Sequence, residues 1–288
     1  MPLDYDRVMG MPPIECDHDL TVRDTMLYAL GLGVGADDPV DRAELKYVYE
    51  DGLAALPTMA TVMAYPGFWA KDPKYGLDWK RILHGEQSVE LHAPLPVAGK
   101  LHGITTIDAI YDKGADKGAL IRSSRRISDR DTGASLATVR QTAFARGDGG
   151  FGGSPDGAPP PHDLPDRAPD ATVPATIHKA QALIYRLSGD YNPLHIDPDV
   201  AREGGFSVPI FHGLGTYGVV GRALVRAMTG DRPEAVRRFD ARFSSPVYPG
   251  DALAIDVWRE GTTTFGFRAR VPARNVVALQ NGRMEIAN

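Results

Sequence analysis

Asp190 and His195 stand five residues apart in the stretch Tyr185-Arg-Leu-Ser-Gly-Asp-Tyr-Asn-Pro-Leu-His195. Gly189 and Pro193 bracket the carboxylate, so the chain turns there instead of continuing a helix. A turn carrying an acid and an imidazole presents both groups to one small volume. The carboxylate can hold the ring's orientation and tautomer, and histidine is the side chain most easily tuned to exchange protons near neutral pH. A capping aspartate and a core histidine are the competing reading. Asn192, between them, either fixes a water or substrate amide or serves the turn.

A second candidate follows at Pro209-Ile-Phe-His-Gly213. The next residues, Leu214 to Met228, read as a helix, which places Gly213 in its first turn. Backbone amides there are unpaired and lie at the positive end of the helix dipole. They suit a carbonyl oxygen that gains negative charge during a reaction; the plainer alternative is a glycine needed only for a tight turn. Gly215, Gly218 and Gly221 recur every third residue along one side of this helix. Each weakens a helix by about 0.5–1 kcal/mol relative to alanine, so the pattern predicts that a backbone, a strand or a ligand approaches that side closely.

The elements that must position these groups are repeated. Thr21 to Gly31 and Thr176 to Gly189 both read as short amphipathic helices that start at a threonine N-cap and stop at a glycine. Leu56-Pro-Thr-Met-Ala-Thr-Val-Met-Ala-Tyr65 resembles Val208-Pro-Ile-Phe-His-Gly-Leu-Gly-Thr-Tyr217, and Ser88 to Gly99 resembles Asp240 to Gly250. Alternating segments suited to half-buried strands close each half: 101–110, 119–127 and 137–145, then 252–259, 264–271 and 283–287. Half of residues 147–170 are glycine or proline, a composition that cannot sustain a regular hydrogen-bond ladder. The chain therefore divides into a repeat over 1–148, a linker over 149–172 and a second repeat over 173–288. The first copy's turn holds Asp37 and Asp38 but no histidine, and it has Met59-Ala-Thr where the second has Phe211-His-Gly. One copy does chemistry; the other has become a wall with room for a substrate.

Composition narrows the classes. The 288 residues are 43% hydrophobic, enough for a sizeable core, and the net charge of −5 gives no case for nucleic acid or an anionic membrane. The one cysteine, Cys16, excludes an intrachain disulfide and a cysteine-built metal site. No apolar run reaches membrane-span length, the N-terminus is unlike a signal peptide and the C-terminus carries no peroxisomal address. A soluble cytoplasmic protein is expected. Gly31-Leu-Gly-Val-Gly35 follows a helix and lacks the G-x-G-x-x-G spacing, so it is no dinucleotide loop. Lys113, with Lys100, Lys117, Arg122, Arg125 and Arg126, either meets the phosphates of a large anionic ligand or forms a solvated face balanced by Asp108, Asp112 and Asp116.

The stretch from Tyr185 to Pro198 closely follows a motif of the hydratase 2 group of MaoC-like enoyl-CoA hydratases. Leu83-His-Gly-Glu-Gln87, Pro94-Leu-Pro-Val-Ala-Gly-Lys100 and Arg242-Phe-Ser-Ser-Pro-Val-Tyr-Pro-Gly250 extend the resemblance across the chain. It implies an α+β double hot-dog fold, two repeats each of a long helix wrapped by a curved antiparallel sheet, only one of them catalytic. It implies reversible hydration of a trans-2-enoyl-CoA to the (3R)-3-hydroxyacyl-CoA, with no metal and no cofactor beyond the CoA of the substrate. Asp190 and His195 would activate the water, Asn192 position them and the Gly213 amide hold the thioester oxygen. His84, Gly85, Lys113 and Phe243 would line the CoA and acyl site. A hot-dog thioesterase, a dehydratase acting on acyl-carrier-protein substrates and a non-catalytic acyl-CoA binding protein are the alternatives, and a homodimer is a possible assembly. The segment 60–80 is expected to decide acyl chain length.

Overall fold

The computed structural model describes residues 3–288. Ten antiparallel strands form one sheet: β1 (Ile14–Leu20), β2 (Ile82–Leu91), β3 (Gly99–Asp112), β4 (Ala119–Asp129), β5 (Ser135–Ala145), β6 (Ala171–Thr176), β7 (Val236–Phe243), β8 (Ala252–Arg259), β9 (Thr264–Val271) and β10 (Val276–Ile286). Their order across the sheet is β1-β3-β4-β5-β2-β7-β10-β9-β8-β6. Each half repeats the same winding, mirrored about the β2–β7 seam. That is the topology of two joined hot-dog repeats, and the duplication read from the sequence is visible in it. Ser88 and Asp240, equivalent in the sequence match, are direct partners across the seam. A two-fold relating the halves must pass beside that pair.

The six α-helices of the described residues are α1 (Tyr5–Met9), α2 (Val22–Gly31), α3 (Arg42–Leu45), α4 (Gln181–Tyr185), α5 (Pro198–Glu203) and α6 (Gly213–Thr229). α2 starts as its sequence predicts, with Thr21 and Asp24 forming a reciprocal capping box. Its counterpart does not. Thr176 ends β6, paired with Ala252, and α4 begins five residues later, after a turn in which the Gln181 side chain accepts from the His178 amide at 2.8 Å. The helix expected from Thr176 is therefore one short helix, continued by a 3-10 turn over Arg186–Ser188.

The expectation of a long helix in each repeat holds only for the second. α6 runs 17 residues, with Tyr217, Val220 and Leu224 wholly buried in a core shared by both halves. Its first-half counterpart is a 3-10 turn over Pro57–Thr61, followed by three more over Trp69–Lys71, Pro73–Tyr75 and Trp79–Arg81. Pro66 and Pro73 cannot donate to a helical ladder, and Ala64 takes a positive φ of 44°. A second, smaller core gathers here, where Tyr75 and Leu77 pack with Ile110 and Ile121 from the sheet.

The glycine side of α6 meets side chains: Gly215 faces the Phe211 ring of its own half, and Gly218 and Gly221 face the first half. A Cβ on Gly218 would come within 2.5 Å of Leu32, and one on Gly221 within 2.6 Å of Thr58. Backbone contact occurs instead between α2 and α4: a Cβ on Gly31 would lie 2.9 Å from the Tyr185 Cα. Gly31→Ala gains helix propensity of about 0.5–1 kcal/mol, but main chain cannot step aside as a side-chain tip can. Net destabilisation of about 1–3 kcal/mol is expected, read as a lower urea midpoint. A raised midpoint would mean that the two helices slide apart freely.

Residues 146–170 form no strand or helix, yet they are tied down. The buried Asp112 carboxylate accepts from the amides of Gly150 and Gly152, and the Trp258 indole donates to the Arg167 carbonyl at 2.8 Å. Among the described residues no helix is long and apolar enough to cross a membrane.

Candidate active site

The turn after α4 is built by its own residues. Gly189 adopts φ +111°, in the left-handed region, which ends the 3-10 turn and reverses the chain. The Asn192 amide then donates to Asp190 Oδ1 at 3.2 Å, and Asn192 Oδ1 accepts from the Leu194 amide at 3.1 Å. Asn192 is thus a turn residue that anchors one oxygen of Asp190 and caps the 3-10 turn Pro193–His195. The other carboxylate oxygen, Oδ2, stands 3.8 Å from His195 Nε2.

The tautomer of His195 follows from its partner. Nδ1 lies 3.0 Å from the Ile210 carbonyl, which can only accept, so Nδ1 carries the hydrogen and Nε2 keeps its lone pair. Nε2 and Asp190 Oδ2 are then two acceptors facing each other across a gap too long for a direct bond. A water between them can donate one hydrogen to each. The His195 side chain is only 10% exposed, whereas that of Asp190 is 46% exposed. Burial lowers the histidine's pKa, against the Asp190 charge, which raises it.

His212 completes the cluster from the other side. It is wholly buried, its ring stacks on His195 at 3.8 Å between centroids, and its Nε2 donates to the Asp190 backbone carbonyl at 3.2 Å. Its pKa falls to about 4, first through burial and then through His195. His212 is a positioning residue: neutral, it pins the Asp190 turn and backs the His195 ring. The sequence pointed to His212 only as the neighbour of Gly213; its place as N-cap of α6, one step before the glycine, was the available signal. Ligand atoms of Asp190, His195 and His212 lie within 4.8 Å of one another.

The N-terminus of α6 faces the same space. Gly213 is its first residue, and its amide has no partner within the helix. The Phe243 ring lies 3.4 Å from where a Gly213 Cβ would be and packs edge-on against His84 at 4.6 Å. His84, on β2, is depressed to about 4 by burial, while Asp190 raises it; the two repeats therefore meet at this site. Gly85 sits in a β-bulge between His84 and Glu86, where a Cβ would press within 3.0 Å of the Thr142 carbonyl. Lys113 stands apart. Across the ladders His84 aligns with Ala143, Ile121 and Ile110, three strands or about 14 Å away, and Lys113 lies just beyond, bonded to the Pro155 carbonyl. Of the other basic residues, Arg125 is not on a solvated face but buried.

Two further residues reach the cluster. Tyr65, from the first repeat, is close enough to Asp190 for the carboxylate to add to the rise that burial gives its phenol. The Tyr185 ring stacks obliquely on His212 at 4.9 Å, and its hydroxyl is buried without a partner.

Comparison with known proteins matches both halves separately. Residues 18–147 match the MFE-2 hydratase 2 N-terminal domain, and residues 162–281 match the MaoC like domain. A 3-hydroxyacyl-thioester dehydratase of Mycobacterium tuberculosis is 42% identical over 92% of each chain. The peroxisomal enoyl-CoA hydratase 2 of Arabidopsis thaliana is 36% identical over 89% of this chain and 87% of that protein. The crystal structure of a MaoC-like dehydratase from Phytophthora capsici superposes with a TM-score of 0.86 at 32% identity, covering 98% of both chains. With relatives matched along nearly their whole length, this chain belongs to the MaoC-like hydratase 2 family.

Proposed function

We propose that the chain adds water reversibly to trans-2-enoyl-CoA thioesters, giving (3R)-3-hydroxyacyl-CoA. The observation that carries the reading is the facing pair of acceptors, Asp190 Oδ2 and His195 Nε2, 3.8 Å apart beside the first turn of α6. Relatives named enoyl-CoA hydratase and 3-hydroxyacyl-thioester dehydratase describe the two directions of that reaction.

In the forward direction a water donates its hydrogens to the pair, and its oxygen attacks C3. The electrons of the C2–C3 double bond shift onto the thioester oxygen, which the Gly213 amide receives as it becomes negative. The pair takes the water's proton and returns one to C2, so the enzyme ends unchanged. C3 of a conjugated thioester is already electrophilic, and the step asks for no metal or redox cofactor. We assign His84, Gly85 and Phe243 to the wall facing the pair and Lys113 to the CoA phosphates. Asn192 acts through the turn rather than on the substrate.

Incubation with crotonyl-CoA should bleach the conjugated enoyl absorbance and yield the 3R alcohol on chiral analysis. Release of free CoA thiol would indicate a thioesterase instead, and binding without turnover a carrier or sensor. A 3S product would refute the reading.

A further inference from the structure

The space left by the missing first-half helix is not uniformly apolar. A pocket beneath residues 65–70 is walled by Phe68, Ile82, Ile121 and Ala143, but also by Thr105, Ser123, Ser124, Arg125 and Gln141. Arg125 occupies an inward position of β4 and is 6% exposed. One of its nitrogens donates to the Ala60 and Thr61 carbonyls, at 3.2 and 2.7 Å. Its Nε is buried with no partner, as is the Thr105 hydroxyl. Its titratable neighbours are Tyr65, whose ring it faces at 5.2 Å, and Cys16. Among the described residues no carboxylate pairs with it. A buried cation without a counter-charge is costly, and the two carbonyls and the ring offset only part of that.

The pocket adjoins the active site. Tyr65 lines it and also lies within electrostatic reach of Asp190. Ile82 is two residues from His84 on β2, and Ala143 is the cross-strand partner of His84. An acyl chain held with its thioester at Gly213 can therefore extend past Tyr65 towards Arg125. We propose that this pocket selects enoyl thioesters whose acyl chain ends in a carboxylate, which would supply Arg125 with its missing counter-charge. Ser123 and the unpartnered Thr105 hydroxyl can donate to the remaining oxygen lone pairs, whereas the Ser124 hydroxyl already donates to Asp108 at 2.8 Å. A purely alkyl chain would leave these groups desolvated and unpaired, the arrangement by which a polar site rejects an apolar substrate.

This rests on the enoyl-thioester reading, and the test separates the two. Matched pairs of trans-2-enoyl-CoA esters, equal in length and ending in methyl or carboxylate, are compared over rising chain length with the wild-type enzyme. The kcat/KM ratio should favour the carboxylate by about tenfold or more once the chain spans the pocket. A ratio at or below one at every length overturns the proposal, and that result needs no variant to fold. In Arg125→Gln, with folding checked by thermal unfolding, the ratio should collapse towards one, and Arg125→Lys should restore part of it. An unchanged ratio in a folded Arg125→Gln protein makes Arg125 only a strap for residues 60 and 61, and overturns the assignment. Failure of the wild type to hydrate crotonyl-CoA strikes the enoyl-thioester reading itself.

Discussion

Asp190→Asn and His195→Gln are each expected to lower kcat for crotonyl-CoA hydration by about 10²–10⁴-fold, the usual contribution of a positioned acid or base. Neither change should dismantle the site. The Asp190 side chain is nearly half exposed, and an asparagine oxygen can keep the 3.2 Å bond from the Asn192 amide. What it cannot keep is the second acceptor, since an amide nitrogen facing His195 Nε2 donates. His195→Gln needs a melting-temperature control, because the ring is buried and its Nδ1 holds the Ile210 carbonyl. The two variants differ in pH behaviour. In Asp190→Asn the larger of the two influences that raise His195 is gone, leaving the Ile210 carbonyl, while burial, which lowers it, remains. The acid limb of the residual rate, set by protonation of His195, should therefore move to lower pH. Near-normal rates in both variants would remove the pair from the mechanism.

What the sequence showed and hid follows from the range of the forces involved. The turn of the candidate pair was legible because its geometry is local: Gly189, Asn192 and Pro193 set the turn, and six consecutive residues hold both groups. The strands that close each half were legible because alternation is a two-residue period, and β8 and β9 fall where that period placed them; β1, β2, β6 and β7 were not read as strands, and β10 starts at Val276 rather than at 283. The missing helix was not. Leu56 to Tyr65 matches Val208 to Tyr217 in residue type, but the breakers that undo the helix, Pro66 and Pro73, lie beyond the match. Thr176 misled for the same reason: a threonine before an amphipathic run fits an N-cap, and only pairing with Ala252, 76 positions away, makes it the end of a strand. Arg125 lies in a basic stretch that reads as surface, and its burial comes from residues 60–65 folding over β4. His212 takes its place from packing against Tyr185 and His195, contacts that spacing along the chain does not reveal.

That packing makes stability fall with acid. His84 and His212 are each depressed to about 4 by burial, whereas in the unfolded chain they titrate near 6.5. Between those values the unfolded chain binds protons that the folded protein refuses, so stability is complete above about pH 6.5 and declines as pH drops towards 4. Each group contributes about 1.4 kcal/mol per pH unit across that window. His212 is the stronger contributor, having no exposed surface; His84 keeps an exposed edge, although its Nε2 is sealed. His195, lowered in the same direction, adds to the slope. Asp148 and Asp240 oppose it, because burial raises their carboxyls and they gain protons in the folded state. Asp170, held near 2 by Arg167, loses its contribution only below this window. The urea midpoint should fall from pH 7 to 4.5, and His212→Asn, neutral throughout, should show a shallower fall than the wild type even if its midpoint at pH 7 is lower. A slope unchanged by that substitution would mean that His212 accepts a proton inside the fold as easily as outside it, and the stacked, neutral pair behind Asp190 would have to be abandoned.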